Sequence, residues 1–280
     1  MTEKMKCPLC GSTETKIRPG GYTGCAECGG AFMDTGKGLS PASPAENNEL
    51  VYHQSKKRIF AEGLNDIEKL TGGRKGTLLD IGCGHGYFMK LASDEGWKVE
   101  GIEISDSAAE YAKSNFGFTV HTKQLGELGL SSRYDVVTLW TVLDVLPSPL
   151  EELKEIYRIL KPGGILFLRI NNFSFHRPAL RLGETYLFRK LKIKPGIMQR
   201  WGITGKTLVT LLRKAEFCDI KVYNSRMTSG DPYGSGGILG GMLVSAVKNL
   251  YFGISQIIFI LTLGKQTISS SIIAAARKQK

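Results

Sequence analysis

LLDIGCGHGYF, residues 78–88, places three glycines within five positions directly after an apolar run. A run of strand length, then glycines, then a helical pattern is the opening of a βα unit. Glycine lets the chain turn tightly there and bring its backbone close to a ligand. The spacing is G-x-G-x-G, through Gly82, Gly84 and Gly86. The dinucleotide fingerprint is G-x-G-x-x-G, so the loop is related to that motif without being it. An acidic residue, Asp80, stands at its entrance.

Outward from this stretch the pattern alternates. TLLDIG (77–82) reads as a buried strand, 86–95 as a helix, KVEGIEIS (98–105) as a strand and 106–115 as a helix with Ser105 or Asp106 as N-cap. FTVHT (118–122) and YDVVTLW (134–140) read as strands. SPLEELKEIYRIL (148–160) reads as a helix with Leu153, Ile156, Tyr157 and Leu160 on one face. The KPGG that follows carries stop signals, and ILFLRI (165–170) reads as the next strand. A helix over 204–217, a strand DIKVYNSRM (219–227) and a last strand SIIAAARK (271–278) complete the series. Such alternation predicts a mostly parallel sheet covered on both faces, with ligands at the carboxyl ends of its strands.

Those ends carry two carboxylates. Asp80 closes the first strand, and Glu103 closes the second about twenty residues later, where an acid can take both hydroxyls of a ribose. A nucleoside is therefore expected, and its tail is the question. A pyrophosphate beside Asp80 meets a like charge, with no lysine or arginine in the loop to offset it. A tail with an ammonium and a sulfonium is attracted instead. The electrostatics favour S-adenosylmethionine over a nicotinamide dinucleotide.

LLDIGCGHGYF, VEGIEIS, YDVVTLWTVLDVL and RILKPGGILFLRI, in this order, resemble the successive motifs of the class I S-adenosylmethionine-dependent methyltransferases. The resemblance covers roughly residues 50–225. It implies an α/β, Rossmann-like sheet of seven mostly parallel strands with the last antiparallel. It also implies roles by position. Gly82, Cys83, Gly84 and Gly86 line the cofactor loop, and Asp80 faces the methionine moiety. Glu103 takes the ribose, Ile104 packs on the adenine, and Gln124 and Leu125 lie at the adenine edge. Trp140 and Thr141 lie where the chain passes the methionine. Many relatives carry Glu-His after the fourth strand, where this chain has Leu143-Asp144-Val145, so a histidine base is missing there. Asp144 and His176, in NNFSFHRP after the fifth strand, are the candidate catalytic groups that remain. A strong base is not obligatory, because the sulfonium already makes the methyl electrophilic and positioning of the acceptor does much of the work.

The six cysteines are not spread as a disulfide framework. Cys7-x2-Cys10 and Cys25-x2-Cys28, each followed by glycine, have the spacing of a closed four-thiolate site for structural zinc. This divides the chain into a zinc-ribbon-like knuckle (1–33), a Gly/Pro/Ser-rich linker (34–48) and a methyltransferase domain (49–280) that opens on a helix bearing Ile59, Phe60, Leu64, Ile67 and Leu70. No apolar leader follows the first lysines, so a cytoplasmic chain is expected.

The net charge of +11 is uneven: zero over 1–71, −3 over 72–168, +10 over 169–226 and +4 over 227–280. Between the last two strands, 236–264 forms an apolar insertion whose only charge is Lys248. It is too interrupted for a span of about 20 apolar residues. Together with the basic residues of 169–226 it suits an interfacial segment on the cytoplasmic face of a membrane. The acceptor expected is then a small-molecule, glycan or lipid-linked compound, a surface-polysaccharide precursor or similar, with a quinone-type O-methyl acceptor as an alternative. An RNA methyltransferase with a zinc recognition knuckle fits less well, since the first 71 residues carry no net positive charge, and nucleic acid is not the expected partner. A non-catalytic module that only binds the cofactor is the third alternative.

Overall fold

The computed structural model describes residues 5–18, 21–33, 49–183, 199–228 and 237–280; the linker 34–48 lies outside them. Strands β1 (Thr15–Arg18), β2 (Tyr22–Cys25) and β3 (Ala31–Phe32) form the N-terminal knuckle. Helix α1 (Glu49–Thr71) leads into β4 (Thr77–Ile81), α2 (Tyr87–Asp94), β5 (Lys98–Ile102), α3 (Asp106–Phe116), β6 (Thr119–His121), β7 (Tyr134–Trp140), α4 (Pro149–Ile159) and β8 (Leu160–Asn171). Then come α5 (Phe173–Gly183), β9 (Trp201–Gly202), α6 (Gly205–Lys214), β10 (Cys218–Ser225), α7 (Gly237–Leu261) and β11 (Ser271–Arg277).

Seven strands make one sheet in the order β10-β11-β8-β7-β4-β5-β6. The pairings from β6 across to β8 are parallel, and β11 runs antiparallel to both of its neighbours. This is the architecture expected. The glycine loop sits where the chain order reverses about β4, between β5 and β7, which is where open α/β sheets bind their ligands. The central strands are apolar on both faces: Leu78, Leu79, Val136, Val137, Leu139, Leu166, Phe167 and Leu168 are all fully buried. Helices therefore have to cover both sides.

Two local features differ from the expectation. KPGG does not end the helix short of a strand; β8 begins at Leu160 and runs through it, with Gly163 at φ +75° and a register shift against β7 absorbing the bend. NNFSFHRP, to which the pattern assigns no helix, opens one: α5 starts at Phe173 and carries Pro178 inside it. The apolar insertion is one continuous helix, α7, and no helix among the described residues is long and apolar enough to cross a membrane.

The knuckle shares the body's core. β3 pairs antiparallel with β9, so the small sheet takes its fourth strand from residues 201–202. Leu9 and Phe32 belong to the same buried cluster as Leu208, Leu211 and Leu212 of α6. Thr207 Oγ1 donates to the Cys28 carbonyl at 3.0 Å, and Lys214 Nζ to that of Cys10 at 2.7 Å.

Candidate active site

At the carboxyl end of β4 the chain turns through Gly82 (φ +70°), Gly84 (φ +53°) and Gly86 (φ +78°), a run of left-handed conformations that L side chains rarely adopt. At Gly82 a Cβ would also lie 2.5 Å from Val142, so the loop packs against the turn after β7. At Gly84 nothing lies within 4 Å of that position, which leaves the backbone open on the ligand side. Cys83 contributes only backbone, because its thiol is buried beside Met89 and Ala109.

Glu103 is held by two backbone donors, Gly84 N–H on one oxygen and Ser105 N–H on the other, each at 2.9 Å. Each carboxylate oxygen keeps a second lone pair for a hydroxyl. Ile104, beside it, is 65% exposed, a bare apolar surface at the rim. Leu125 is buried and Gln124 is exposed at the start of a single 3-10 turn.

Asp80 is fully buried, with Thr138 Oγ1 donating to it at 2.6 Å. Burial pushes its pKa up to about 7, against the pull of the Thr138 hydrogen bond and of Lys56. A buried carboxyl held in this way is relieved by a cation placed against it. The donor set therefore fits S-adenosylmethionine, with Asp80 toward its cationic end, Glu103 toward the ribose and Ile104 beside the base.

Trp140 and Thr141 close β7. The Trp140 ring packs edge-on to Phe60 of α1 at 4.9 Å and near Phe88 and Phe167, in a buried aromatic cluster beneath the end of β7. Thr141 takes φ +66°, and its Oγ1 accepts from Arg169 Nη1 at 3.1 Å. Arg169, at the end of β8, is 5% exposed and also donates to Ser225 Oγ (2.9 Å), Ser271 Oγ (3.0 Å) and the Arg226 carbonyl (3.3 Å).

The two catalytic candidates lie at the same edge of the sheet. Asp144 is 1% exposed; Asn171 Nδ2 donates to one oxygen at 2.9 Å, and burial raises its pKa. Its surroundings suit an anchor for the 141–146 turn, whose backbone also accepts from Trp201 N–H and Trp201 Nε1. His176 lies on α5 with Nε2 3.2 Å from the Ser270 carbonyl, and burial lowers its pKa. With Nε2 as the donor, the ring is neutral near pH 7 and Nδ1 is the remaining acceptor.

Two cations at this edge were absent from the sequence reading. Arg169 stands inside the apolar strand ILFLRI, and Lys56 in a Lys56-Lys57-Arg58 run. Lys57 and Arg58 are exposed, but Lys56 is 9% exposed. The signal was available in the helix phase, since Lys56 lies four residues before Phe60 and three before Ile59, on the apolar face of α1.

The four knuckle sulfurs lie within 4.8 Å of one another, all buried, with Cys7–Cys28 at 3.9 Å and Cys10–Cys25 at 3.6 Å. Sulfurs around a tetrahedral zinc with bonds of about 2.3 Å stand about 3.8 Å apart. The residues present fit such an ion.

The family model for methyltransferase domains matches residues 52–221. The chain belongs to this family. A ubiquinone biosynthesis O-methyltransferase of Haemophilus ducreyi is 30% identical over 145 residues, 44% of this chain and 61% of that protein. The protein of the same name from Nitrosomonas europaea is 32% identical over 137 residues, 46% of this chain and 58% of that one. The chain thus spans about three fifths of the length of these curated relatives. An S-adenosylmethionine-dependent methyltransferase of Thermotoga maritima shares the fold, with TM-score 0.51 and 20% identity over 83% of this chain and 96% of that one.

Proposed function

We propose that the chain is an S-adenosylmethionine-dependent methyltransferase acting on an oxygen of a small amphipathic acceptor at a membrane face. The observation that carries the cofactor assignment is Asp80, a wholly buried carboxylate beside a glycine loop without lysine or arginine. When bound, the cofactor supplies an activated methyl on a sulfonium. The glycine loop, Asp80, Glu103 and Ile104 hold it, and Thr141, His176 and the neighbouring polar groups shape the mouth through which the acceptor approaches. Calorimetry is expected to show binding of S-adenosylmethionine and none of NAD; binding of NAD alone overturns the assignment.

The ubiquinone biosynthesis O-methyltransferases to which the chain is similar support oxygen as the acceptor atom and a quinone precursor, rather than a surface glycan, as the kind of acceptor. The surface of α7 supports the membrane face. One side of this helix is anchored, with Asn224 Nδ2 donating to the Ser255 carbonyl and Tyr251 O–H to that of Ile268. The other presents Val247, Leu250, Ile254, Ile257 and Leu261, all exposed, at helical spacing. Lys265 follows this stripe, in the part of the chain that carries +4 after the +10 of 169–226, while Lys248 turns inward and donates to the Thr228 carbonyl at 3.2 Å. An apolar face with basic neighbours is the pattern of an interfacial helix.

The chain is expected to float with phosphatidylglycerol vesicles at low salt. A Leu250→Asn, Ile257→Asn, Leu261→Asn variant should remain in the pellet, because these exposed changes cost the fold little. Equal flotation of both proteins counts against the membrane reading.

A further inference from the structure

We propose that Lys56, buried on the inner face of α1 over the carboxyl end of the central strands, is the base that takes the proton from the acceptor hydroxyl. The proposal rests on the methyltransferase reading above and adds to it a residue outside the motifs of the fold.

Its position follows from the packing of α1. Phe60 lies against Trp140, the last residue of β7, and against Phe88 at the start of α2. One turn further toward the helix N-terminus, Lys56 places Nζ 6.0 Å from the Phe60 ring centroid. The side chain thus lies over the carboxyl end of the central strands. The register there sets Asp80 beside Thr138 on one flank of β7 and Arg169 beside Trp140 on the other. Among the described residues, Asp80 from β4 and Arg169 from β8 are charged groups that act on Lys56. Neither can move away. Asp80 is buried against Thr138, and the Arg169 guanidinium is tied to Thr141, Ser225, Ser271 and the Arg226 carbonyl.

The chemistry follows from this enclosure. Burial is the larger influence and Arg169 the second; together they bring Lys56 from 10.5 down to about 7, with Asp80 opposing. An amine poised there is partly neutral at physiological pH and can accept a proton, which an ordinary lysine cannot. In the transfer, the acceptor oxygen forms the new O–C bond and the C–S bond breaks with its pair retained by sulfur. The hydroxyl proton passes to the Lys56 amine, which returns it to water after product leaves. Arg169 keeps the mouth positive throughout, so the developing oxyanion is stabilised while Lys56 is neutral. His176 and Asp144 are then not required as bases. This agrees with their engagement by the Ser270 carbonyl and Asn171.

Catechol serves as the test acceptor, with the initial rate of methyl transfer followed from about pH 6 to about pH 9. The wild-type rate should rise through about pH 7 and then level. Lys56→Met should lose about 10²-fold or more at neutral pH and recover toward high pH, as catechol ionises in solution. Lys56→Ala should regain rate on addition of methylamine, and Lys56→Arg should not recover at neutral pH. Calorimetry with S-adenosylhomocysteine at about pH 9, where Asp80 is ionised with or without Lys56, should give similar affinity in wild type and Lys56→Met, which also reports that the variant is folded. A Lys56→Met rate within about threefold of wild type, an unchanged pH profile or absence of any wild-type transfer to catechol overturns the proposal while leaving cofactor binding intact. Failure of the wild type to bind S-adenosylmethionine or S-adenosylhomocysteine overturns instead the reading on which it rests.

Discussion

Asp80→Asn is expected to make the ligand-free chain more stable while removing its affinity for S-adenosylmethionine. The stability half follows from linkage. Asp80 is moved from its ordinary 3.8 to about 7 in the folded chain, mainly by burial. Below 3.8 the carboxyl is neutral in both states and costs nothing. As pH rises through the interval up to about 7 the unfolded chain ionises first, so stability falls; above 7 the full cost remains. A shift of this size corresponds to about 4 kcal/mol at most. Asparagine keeps an oxygen to accept the Thr138 hydrogen bond and carries no charge to desolvate. At about pH 8 the variant should therefore melt several degrees higher, at roughly 2–4 °C per kcal/mol for a chain of this size.

The affinity half has the opposite sign. A buried carboxylate against a cationic ligand contributes a charge-assisted interaction that a neutral amide cannot replace, and its loss costs about 3–5 kcal/mol. Titration calorimetry should record at least a hundredfold weaker binding. The wild type should also show a pH signature. Below about 7 a proton must leave Asp80 before the cation can sit against it, so affinity should fall about tenfold per pH unit, with proton release visible as a buffer-dependent heat. Asp80→Asn should remove that dependence. A variant no more stable than wild type above pH 7, or equal in cofactor affinity, refutes this account of Asp80.

The chain's sequence discloses what depends on local pattern. The alternating strands and helices, the glycine loop and the acids at the ends of β4 and β5 lie within short stretches whose periodicity and punctuation are unambiguous, and the antiparallel β11 follows from the family motifs. Features that depend on long-range approach were hidden. β9 is two residues long, too short for any periodicity, and exists because Trp201 and Gly202 meet Phe32 and Ala31 of the knuckle. The helix phase puts Lys56 on the apolar face of α1, but that this face meets Trp140 of β7 is not local information. Arg169 interrupts an apolar strand for no local reason; its partners Ser225, Ser271 and Thr141 come from three other segments of the chain. In each case the missing information is a pairing between residues far apart in sequence.

The knuckle leads to the second large effect: loss of the zinc that its four cysteines fit should impair the acceptor side of the site before the cofactor side. Structural zinc in small sites contributes on the order of 10–16 kcal/mol of apparent binding energy, which is folding energy for the segment that holds it. Here that segment is not an isolated appendage. Tyr22 of β2 packs edge-on against Phe173 of α5, ring centroids 5.3 Å apart. A Cβ on Gly202 would stand 2.7 Å from the Phe173 ring, so β9 also closes on this side chain. Phe173 N–H donates to the Ile203 carbonyl, and Asn172, just before it, donates from its side chain to the carbonyls of Thr267 and Ser269. The knuckle thus braces the start of the helix that carries His176. The glycine loop and Glu103, by contrast, are held by β4, β5 and α3, on the other side of β7. Metal analysis should find one zinc per chain, and Cys7→Ser should lose it. Loss of a large part of that energy should lower the melting temperature by about 10 °C or more. At a temperature where the variant still binds S-adenosylhomocysteine normally, its rate of methyl transfer to catechol should be depressed. Unchanged metal content, or equal loss of cofactor binding and transfer, overturns the idea that the knuckle supports the acceptor mouth through Phe173.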